Sequence, residues 1–295
     1  MSNFKNLLNR KSTSDELQKR ADSLQTKKDY TDERFWRPTA DRAGNVAAVV
    51  RLLPAPDREE AGKAAKKEVP CDFVTFYNHA FQKGNKWFIE NCPTSIGLTC
   101  PVCDDNNEKC EAGGDATVKA LRKEGRFRKT NYVVNVYVIK DDQNKDTEGQ
   151  VFLWKAPKAV IDAIANAMAP KMIIDGQEGF DPFDYLTGAN VKLLAHDDKG
   201  FRKYEGTTFL AQSPLLKGDE EALEAIYEAS YPIAEFLDPS KYKGYDELKS
   251  ALGKMASVTS RFSDKQEDND GDNGPEKEEE TTPETPAAAG ESSKD

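Results

Sequence analysis

The sequence predicts an α+β fold, a small barrel of short strands with a few appended helices. Three observations carry that prediction. Apolar runs of strand length recur between turns, helical periodicity is confined to a few stretches, and both ends of the chain are too polar to join a core. With 295 residues, 9% of them aromatic and 32% charged, the chain can bury a sizeable core and still expose much polar surface.

Residues 1–28 are predicted to form a flexible arm. Asn9-Arg10-Lys11-Ser12-Thr13 leads into a segment in which Ser12, Thr13 or Ser14 can cap a helix carrying Leu17, Ala21 and Leu24 at near-helical spacing. Such a thin stripe cannot make its own core, so the arm is expected to order only against a partner, another copy of the chain included.

The core is expected over residues 29–263. Val46 to Leu53 reads as a buried strand ended by Pro54, and Ala55 to Lys67 as a charged loop or short helix. Val69 to Phe81 and Lys86 to Ile89, both aromatic-rich, flank a Gly84-Asn85 turn and predict a hairpin. Asp115 to Gly125 reads as a short basic helix. Tyr132 to Ile139 then forms a strand with Tyr132, Val134, Val136 and Val138 facing the core. Its other face, Asn131, Val133, Asn135 and Tyr137, is expected to line a half-exposed groove, with Arg126, Arg128 and Lys129 at its mouth. Val151 to Trp154 makes another strand, and Pro157 opens a helix with Val160, Ile161, Ile164 and Met168 on one side. Ala189 to Ala195 and Phe201 to Phe209 predict a hairpin around Asp197-Asp198-Lys199-Gly200. Helices follow over about Asp219 to Tyr231 and Tyr245 to Met255.

The most specific pattern is His79-x12-Cys92-x7-Cys100-Pro-Val-Cys103. Two cysteines separated by two residues can face one ion from a single tight turn, and Cys92 and His79 complete a tetrahedron suited to one structural zinc ion. A redox pair is the rival reading, but such pairs sit at a helix start, and Pro101 and Val102 read as part of a Gly/Pro/Thr-rich loop. A catalytic deaminase-type zinc site needs a Glu and a Pro where this chain has Phe81 and Thr99. Of the other two cysteines, Cys71 is expected in the core, while Cys110, in a charged loop, is a competing ligand. The metal-bearing subdomain spans about residues 70–125.

The formal net charge of −10 is unevenly spread: Asp264 to Asp295 holds twelve acidic and three basic residues, leaving 40 acidic and 39 basic before it. The core is thus near neutral and the tail, residues 264–295, is acidic and expected to be disordered. Neither a membrane span nor the apolar stretch of a signal peptide is present, which predicts a soluble cytoplasmic protein.

Basic residues interleaved with aromatic ones suit an unpaired polynucleotide, because cations follow phosphates and exposed rings stack on bases of any identity. The candidates are Arg126, Arg128, Lys129, Tyr132 and Tyr137, then Phe201, Arg202, Lys203 and Tyr204, with Trp87 and Trp154 less sharply indicated. Enzymatic patterns are thin. The chain has no phosphate-binding G-x-x-x-x-G-K-[ST] loop, no G-x-S-x-G and only two histidines, of which His196 sits beside Asp197 and Asp198 in a turn. Asp181 and Asp184 are paired acids without a neighbouring nucleophile.

The histidine and cysteine order within Tyr77-Asn78-His79-Ala80-Phe81 and Lys86-Trp87-Phe88-Ile89-Glu90, Arg10-Lys11-Ser12-Thr13, Arg128-Lys129-Thr130-Asn131-Tyr132 and Gly200-Phe201-Arg202-Lys203-Tyr204 together resemble one family. It is that of the single-stranded DNA-binding, helix-destabilising proteins of T-even and related bacteriophages, and the likeness covers most of residues 1–260 and the acidic tail. The resemblance implies an oligonucleotide-binding barrel with a zinc subdomain and a cleft lined by Tyr132, Phe201 and Tyr204. It further implies self-association through Arg10, Lys11, Ser12 and Thr13, and a tail that recruits replication, recombination and repair proteins. Asn9 and Phe127 depart from the family pattern, each standing where a basic residue is expected. A protein-only zinc-ribbon adaptor and a zinc-dependent nucleotide enzyme are the alternatives.

Overall fold

The computed structural model describes residues 32–171, 178–198 and 201–263. The arm, with Arg10, Lys11, Ser12 and Thr13, and the acidic tail lie outside the described residues, as does the side chain of Phe201. In chain order the strands are β1 Val46–Leu53, β2 Phe73–Lys83, β3 Lys86–Asn91, β4 Lys129–Asp141, β5 Val151–Ala156, β6 Ala189–Asp198, β7 Phe201–Lys203 and β8 Thr208–Gln212. The helices are α1 Arg58–Ala64, α2 Pro101–Lys123, α3 Lys158–Met168, α4 Glu220–Ala229 and α5 Tyr245–Ser263. The strands form one antiparallel eight-stranded sheet in the order β3-β2-β4-β1-β6-β7, with β5 also on β4 and β8 on β6. The α+β class is as expected.

The 13-residue β4 organises the sheet. Its first half, Lys129 to Val134, pairs with β2, its second half, Asn135 to Asp141, with β1, and Tyr132 to Tyr137 pair with β5 along its other edge. One face carries Val134, Val136 and Val138 into a core with Val50, Trp154, Val160, Ile164, Val191 and Leu193. Each fully buried aliphatic side chain there contributes about 1.5–3 kcal/mol.

Beyond Asn131, which stays half-buried, the other face of β4 is not the half-exposed groove that strict alternation suggested. Val133 and Asn135 are both fully buried, Val133 against Val74, Leu153, Ile233 and Leu237. The segment after α4 covers this face. The Asn135 amide donates to the Tyr231 carbonyl (2.8 Å) and accepts from its N–H (3.0 Å), replacing the water that an exposed asparagine would bind.

The β2–β3 hairpin forms as expected. Lys83 pairs with Lys86, and Gly84 at φ 57° supplies the left-handed residue a two-residue turn requires. Beyond it, α2 starts earlier than expected. Pro101 occupies its first turn with Cys100 as an extended N-cap, and Gly114 (φ 58°, ψ −153°) breaks the helix so that only its second half matches the predicted one. Pro101-Val102 is therefore the first turn of a helix rather than loop, because a proline's missing N–H costs nothing there. Cys110 lies on the same helix. Cys71 is buried in the core as expected. The segment predicted as one strand from Phe201 to Phe209 is split into β7 and β8.

Candidate nucleic-acid interface and metal centre

Four side chains from three local structures converge behind the hairpin. His79 comes from β2, Cys92 from the end of β3, and Cys100 and Cys103 from the first turn of α2. Their ligand atoms all lie within 4.8 Å of one another, and His79, Cys92 and Cys100 are almost wholly buried. His79 Nε2 is 3.5 Å from Cys100 Sγ and 3.6 Å from Cys103 Sγ, and Cys92 Sγ is 3.6 Å from Cys103 Sγ. A tetrahedron built on Zn–S and Zn–N bonds of about 2.3 and 2.0 Å has edges of roughly 3.5–3.8 Å, whereas a disulfide needs about 2.05 Å. All five cysteines are free. The donor set therefore fits a four-coordinate metal site, and the helix-start position of Cys100 and Cys103, which would suit a redox pair, is outweighed by the two further donors facing them. Cys110 is not part of the cluster.

Supporting contacts fix the donors. His79 Nδ1 donates to the Arg126 carbonyl at 3.1 Å, which leaves Nε2 for the site, and the Thr94 hydroxyl lies 3.1 Å from Cys92 Sγ. Burial works against charging His79, yet its hydrogen bonds to Cys100 and Cys92 and the Cys92 charge push its pKa up to about 9. Sulfur contacts to Cys100 and Cys103 hold the Cys92 thiol well below its ordinary value.

This geometry moves Arg126 from the predicted groove mouth into the support of the cluster. It is 5% exposed, with Nε bonded to Asn106 Oδ1 at 2.9 Å and its guanidinium over the Phe81 ring and paired with Asp105. Burial without a partner would be prohibitive for a guanidinium, so the two side chains from α2 hold it in place.

A cleft of about 720 Å³ lies in front of β2, β4 and β5. Its aromatic lining includes Phe35, Trp36, Phe76, Trp154, Tyr204 and Phe236, and its cations are Arg34, Arg37, Lys155, Arg202 and Lys241. Asn78, Asn91 and Asn131 add polar groups. Trp36 and Trp154 are core residues at 3% and 2% exposure, packed edge to face at 5.6 Å, while Phe35, Tyr204 and Phe236 are half-buried and keep ring surface toward solvent. Phe236 stacks on Phe76 at 5.7 Å and meets Phe35 edge to face at 5.9 Å. Residues 34–36 reach the cleft by adding to the edge of β5, where Leu153 N–H donates to the Arg34 carbonyl and Trp36 N–H to the Leu153 carbonyl, both at 2.8 Å.

The cations differ in how they are held. Arg34 pairs with Asp32 (2.8 Å) and Glu235 (2.7 Å), and Lys241 with Glu235 (3.1 Å). Arg202 donates to the neutral Pro38 carbonyl at 3.0 Å. Among the described residues, Arg37 and Lys155 have no carboxylate within ion-pair distance. Burial, and then the charge of Arg37, hold the Lys155 ammonium below its ordinary pKa, so the site carries positive charge short of anions. Half-buried rings beside under-neutralised cations can take flat bases and phosphates together.

Of the predicted residues, Arg202 and Tyr204 line this cleft, and so does Trp154. Lys129 is exposed and pairs across the sheet with the cleft residue Asn78. Arg128 is exposed, 4.3 Å from the Tyr77 ring and bonded to Thr94 Oγ1, on the metal-cluster side. Lys203 is exposed and lies 3.8 Å from Asp198. Tyr132 does not line the cleft and packs half-buried against the main core, and Tyr137 packs with Leu53, Leu215 and Ile226 beneath α4. The residues that sequence reasoning missed are Arg34, Phe35, Arg37, Lys155, Phe236 and Lys241. Arg34-Phe35-Trp36-Arg37 carried a usable signal, the same interleaving of basic and aromatic residues. Lys241 and Phe236 carried none, being joined to the rest only by folding.

Residues 44–256 match the family described as "gp32 DNA binding protein like". The chain is 32% identical over 257 residues to the single-stranded DNA-binding protein of Enterobacteria phage T4, covering 84% of this chain and 79% of that protein. It is 31% identical over 249 residues to the protein of the same description from Enterobacteria phage T2, covering 79% and 76%. A shorter match, 39% over 74 residues, links it to a single-stranded DNA-binding protein of Escherichia phage SV14. A family match across most of the chain, together with the T4 and T2 identities over most of both sequences, establishes that this chain belongs to the gp32-like family of DNA-binding proteins.

Proposed function

We propose that this chain binds single-stranded DNA without reading its sequence, acting as a coat and melting protein rather than as an enzyme. The observation that carries the reading is the cleft, where Phe35, Tyr204 and Phe236 offer ring surface beside Arg37, Lys155 and Arg202. Stacking and phosphate neutralisation are both indifferent to base identity, which suits a protein that must cover any unpaired segment of phage DNA during replication, recombination and repair. The name borne by the T4 and T2 relatives supports the same substrate. In this reading the antiparallel sheet is the family's oligonucleotide-binding barrel. Residues 70–125 form its metal-bearing subdomain, with one structural zinc ion held by His79, Cys92, Cys100 and Cys103. Four protein donors leave no position for a catalytic water, so the metal's chemistry when bound is a cross-link between β2, β3 and α2.

Residues 1–28 and 264–295 complete the proposal. The basic arm joins neighbouring copies along the strand, giving cooperative coating, and the acidic tail recruits replication and recombination enzymes in the host cytoplasm. Deleting residues 1–20 is expected to leave short-oligonucleotide affinity intact and abolish cooperativity on long strands. Deleting the tail is expected to tighten binding, because its charge competes for the cleft. The decisive test is a titration with poly(dT) at two salt concentrations, followed by intrinsic fluorescence. Saturable, salt-sensitive binding is expected, and its absence would return the chain to a protein-only adaptor.

A further inference from the structure

Beyond the cleft, the front of the β2–β3 hairpin carries an apolar surface that the cleft alone does not use. Trp87 is 61% exposed and Ile89 62%, two residues apart and therefore on one face of β3. Two residues further along the same face comes Asn91, and Ile89 and Asn91 both line the cleft. At about 3.4 Å per residue, Trp87 lies roughly 7 Å beyond Ile89 and 14 Å beyond Asn91, on a straight continuation of the cleft wall.

The opposite face of the same strand is anchored. Phe88 is 4% exposed, stacks on Phe81 at 4.9 Å, and belongs with Cys92 and Cys100 to the core around the metal cluster. A large aromatic ring thus stands in water on a strand fixed from behind, and it faces the cleft's own direction. At the hairpin tip Lys83 and Lys86 pair across the turn and, by alternation, share the face of Phe81 and Phe88, opposite Trp87.

We infer that Trp87 is a further stacking residue for the unpaired strand, and that the front face of the β2–β3 hairpin extends the binding track beyond the cleft toward the hairpin tip. The inference rests on the single-strand reading of the cleft. Its occupant is nucleic acid rather than protein because the row Trp87-Ile89-Asn91 runs straight into the cleft that holds Arg37, Lys155 and Arg202, cations that match phosphates.

The chain contains three tryptophans, and Trp36 and Trp154 are buried at 3% and 2%, so emission open to an aqueous quencher comes from Trp87. The test uses full-length protein with oligo(dT) of increasing length, short enough for one copy each. Binding is read by anisotropy of the oligonucleotide and Trp87 exposure by acrylamide quenching. The shortest oligomers that bind are expected to leave Trp87 open, and longer ones to shield it. W87A should weaken binding of the longer oligomers by about 5- to 150-fold and leave the shortest unchanged, while W87F retains most of the affinity. Full quencher access at saturation with the longer oligomers, or W87A binding them like the unmodified chain, would overturn the inference with the cleft reading intact. Failure of every oligomer to bind would overturn both.

Discussion

Replacing Lys155 with Met tests the electrostatics of the cleft at one atom. The substitution keeps an aliphatic stem beside Phe35, whose ring centre is 5.3 Å from the ammonium, and removes only the charge. Arg34 and Lys241 already face Asp32 and Glu235, which leaves Arg37, Lys155 and Arg202 as the cations free to release counterions on binding. At about −0.7 per neutralised phosphate, three such contacts give a log-log salt slope of about −2.1, and affinity falls about 18-fold between 50 and 200 mM salt. K155M should reduce the slope to about −1.4 and that fall to about 7-fold. A pH arm follows from the same atom. Burial and Arg37 depress the Lys155 pKa in the free protein, and a phosphate stabilises the ammonium, so binding favours the protonated form. Affinity should therefore drop as pH rises through the depressed value in the unmodified chain and not in K155M. Titrations with a short oligo(dT) at four salt concentrations and two alkaline pH values measure both. An unchanged salt slope in K155M, or an identical pH response in the two proteins, would refute the assignment of Lys155 to phosphate.

Tyr204→Ala should weaken oligo(dT) binding by about 1–3 kcal/mol and Tyr204→Phe by much less, whereas Tyr137→Phe should leave it unchanged because that ring packs beneath α4; anisotropy titration separates the three. Metal analysis should find one equivalent of zinc. Because the ion must displace protons, including that of His79 with its pKa near 9, metal affinity should rise with pH and chelation should lower the melting temperature, as read by a zinc-responsive dye and a thermal melt. Asn135→Ala strands the Tyr231 N–H and C=O in a buried site, at about 1–3 kcal/mol for each group, and urea unfolding should show the loss.

The His79, Cys92, Cys100 and Cys103 cluster was legible because its pattern is short-range. Cys100 and Cys103 are joined by one turn, and the hairpin that delivers His79 and Cys92 announces itself by its turn residues and flanking aromatics. The surroundings were less legible. Arg126 sits among basic residues in the sequence and looked like a phosphate contact, but Asn106 and Asp105 on α2, some twenty residues upstream, draw it inside. Of the ring and basic residues singled out in the sequence, Arg202 and Tyr204 lie in the cleft, while Tyr132 packs against the main core.

By itself the amino-acid order determined the strands, the α+β class, the clustering of His79 with Cys92, Cys100 and Cys103 and the polar character of the two ends, since each depends on periodicity or spacing within a few turns of chain. Tertiary structure alone decided what covers the second face of β4 and which cations share a cleft. Alternation along a strand shows that two faces differ and cannot show what will cover them. Here Tyr231, 96 residues beyond Asn135, closes one face, and the same wrapping segment carries Phe236 and Lys241 to Phe35 and Lys155.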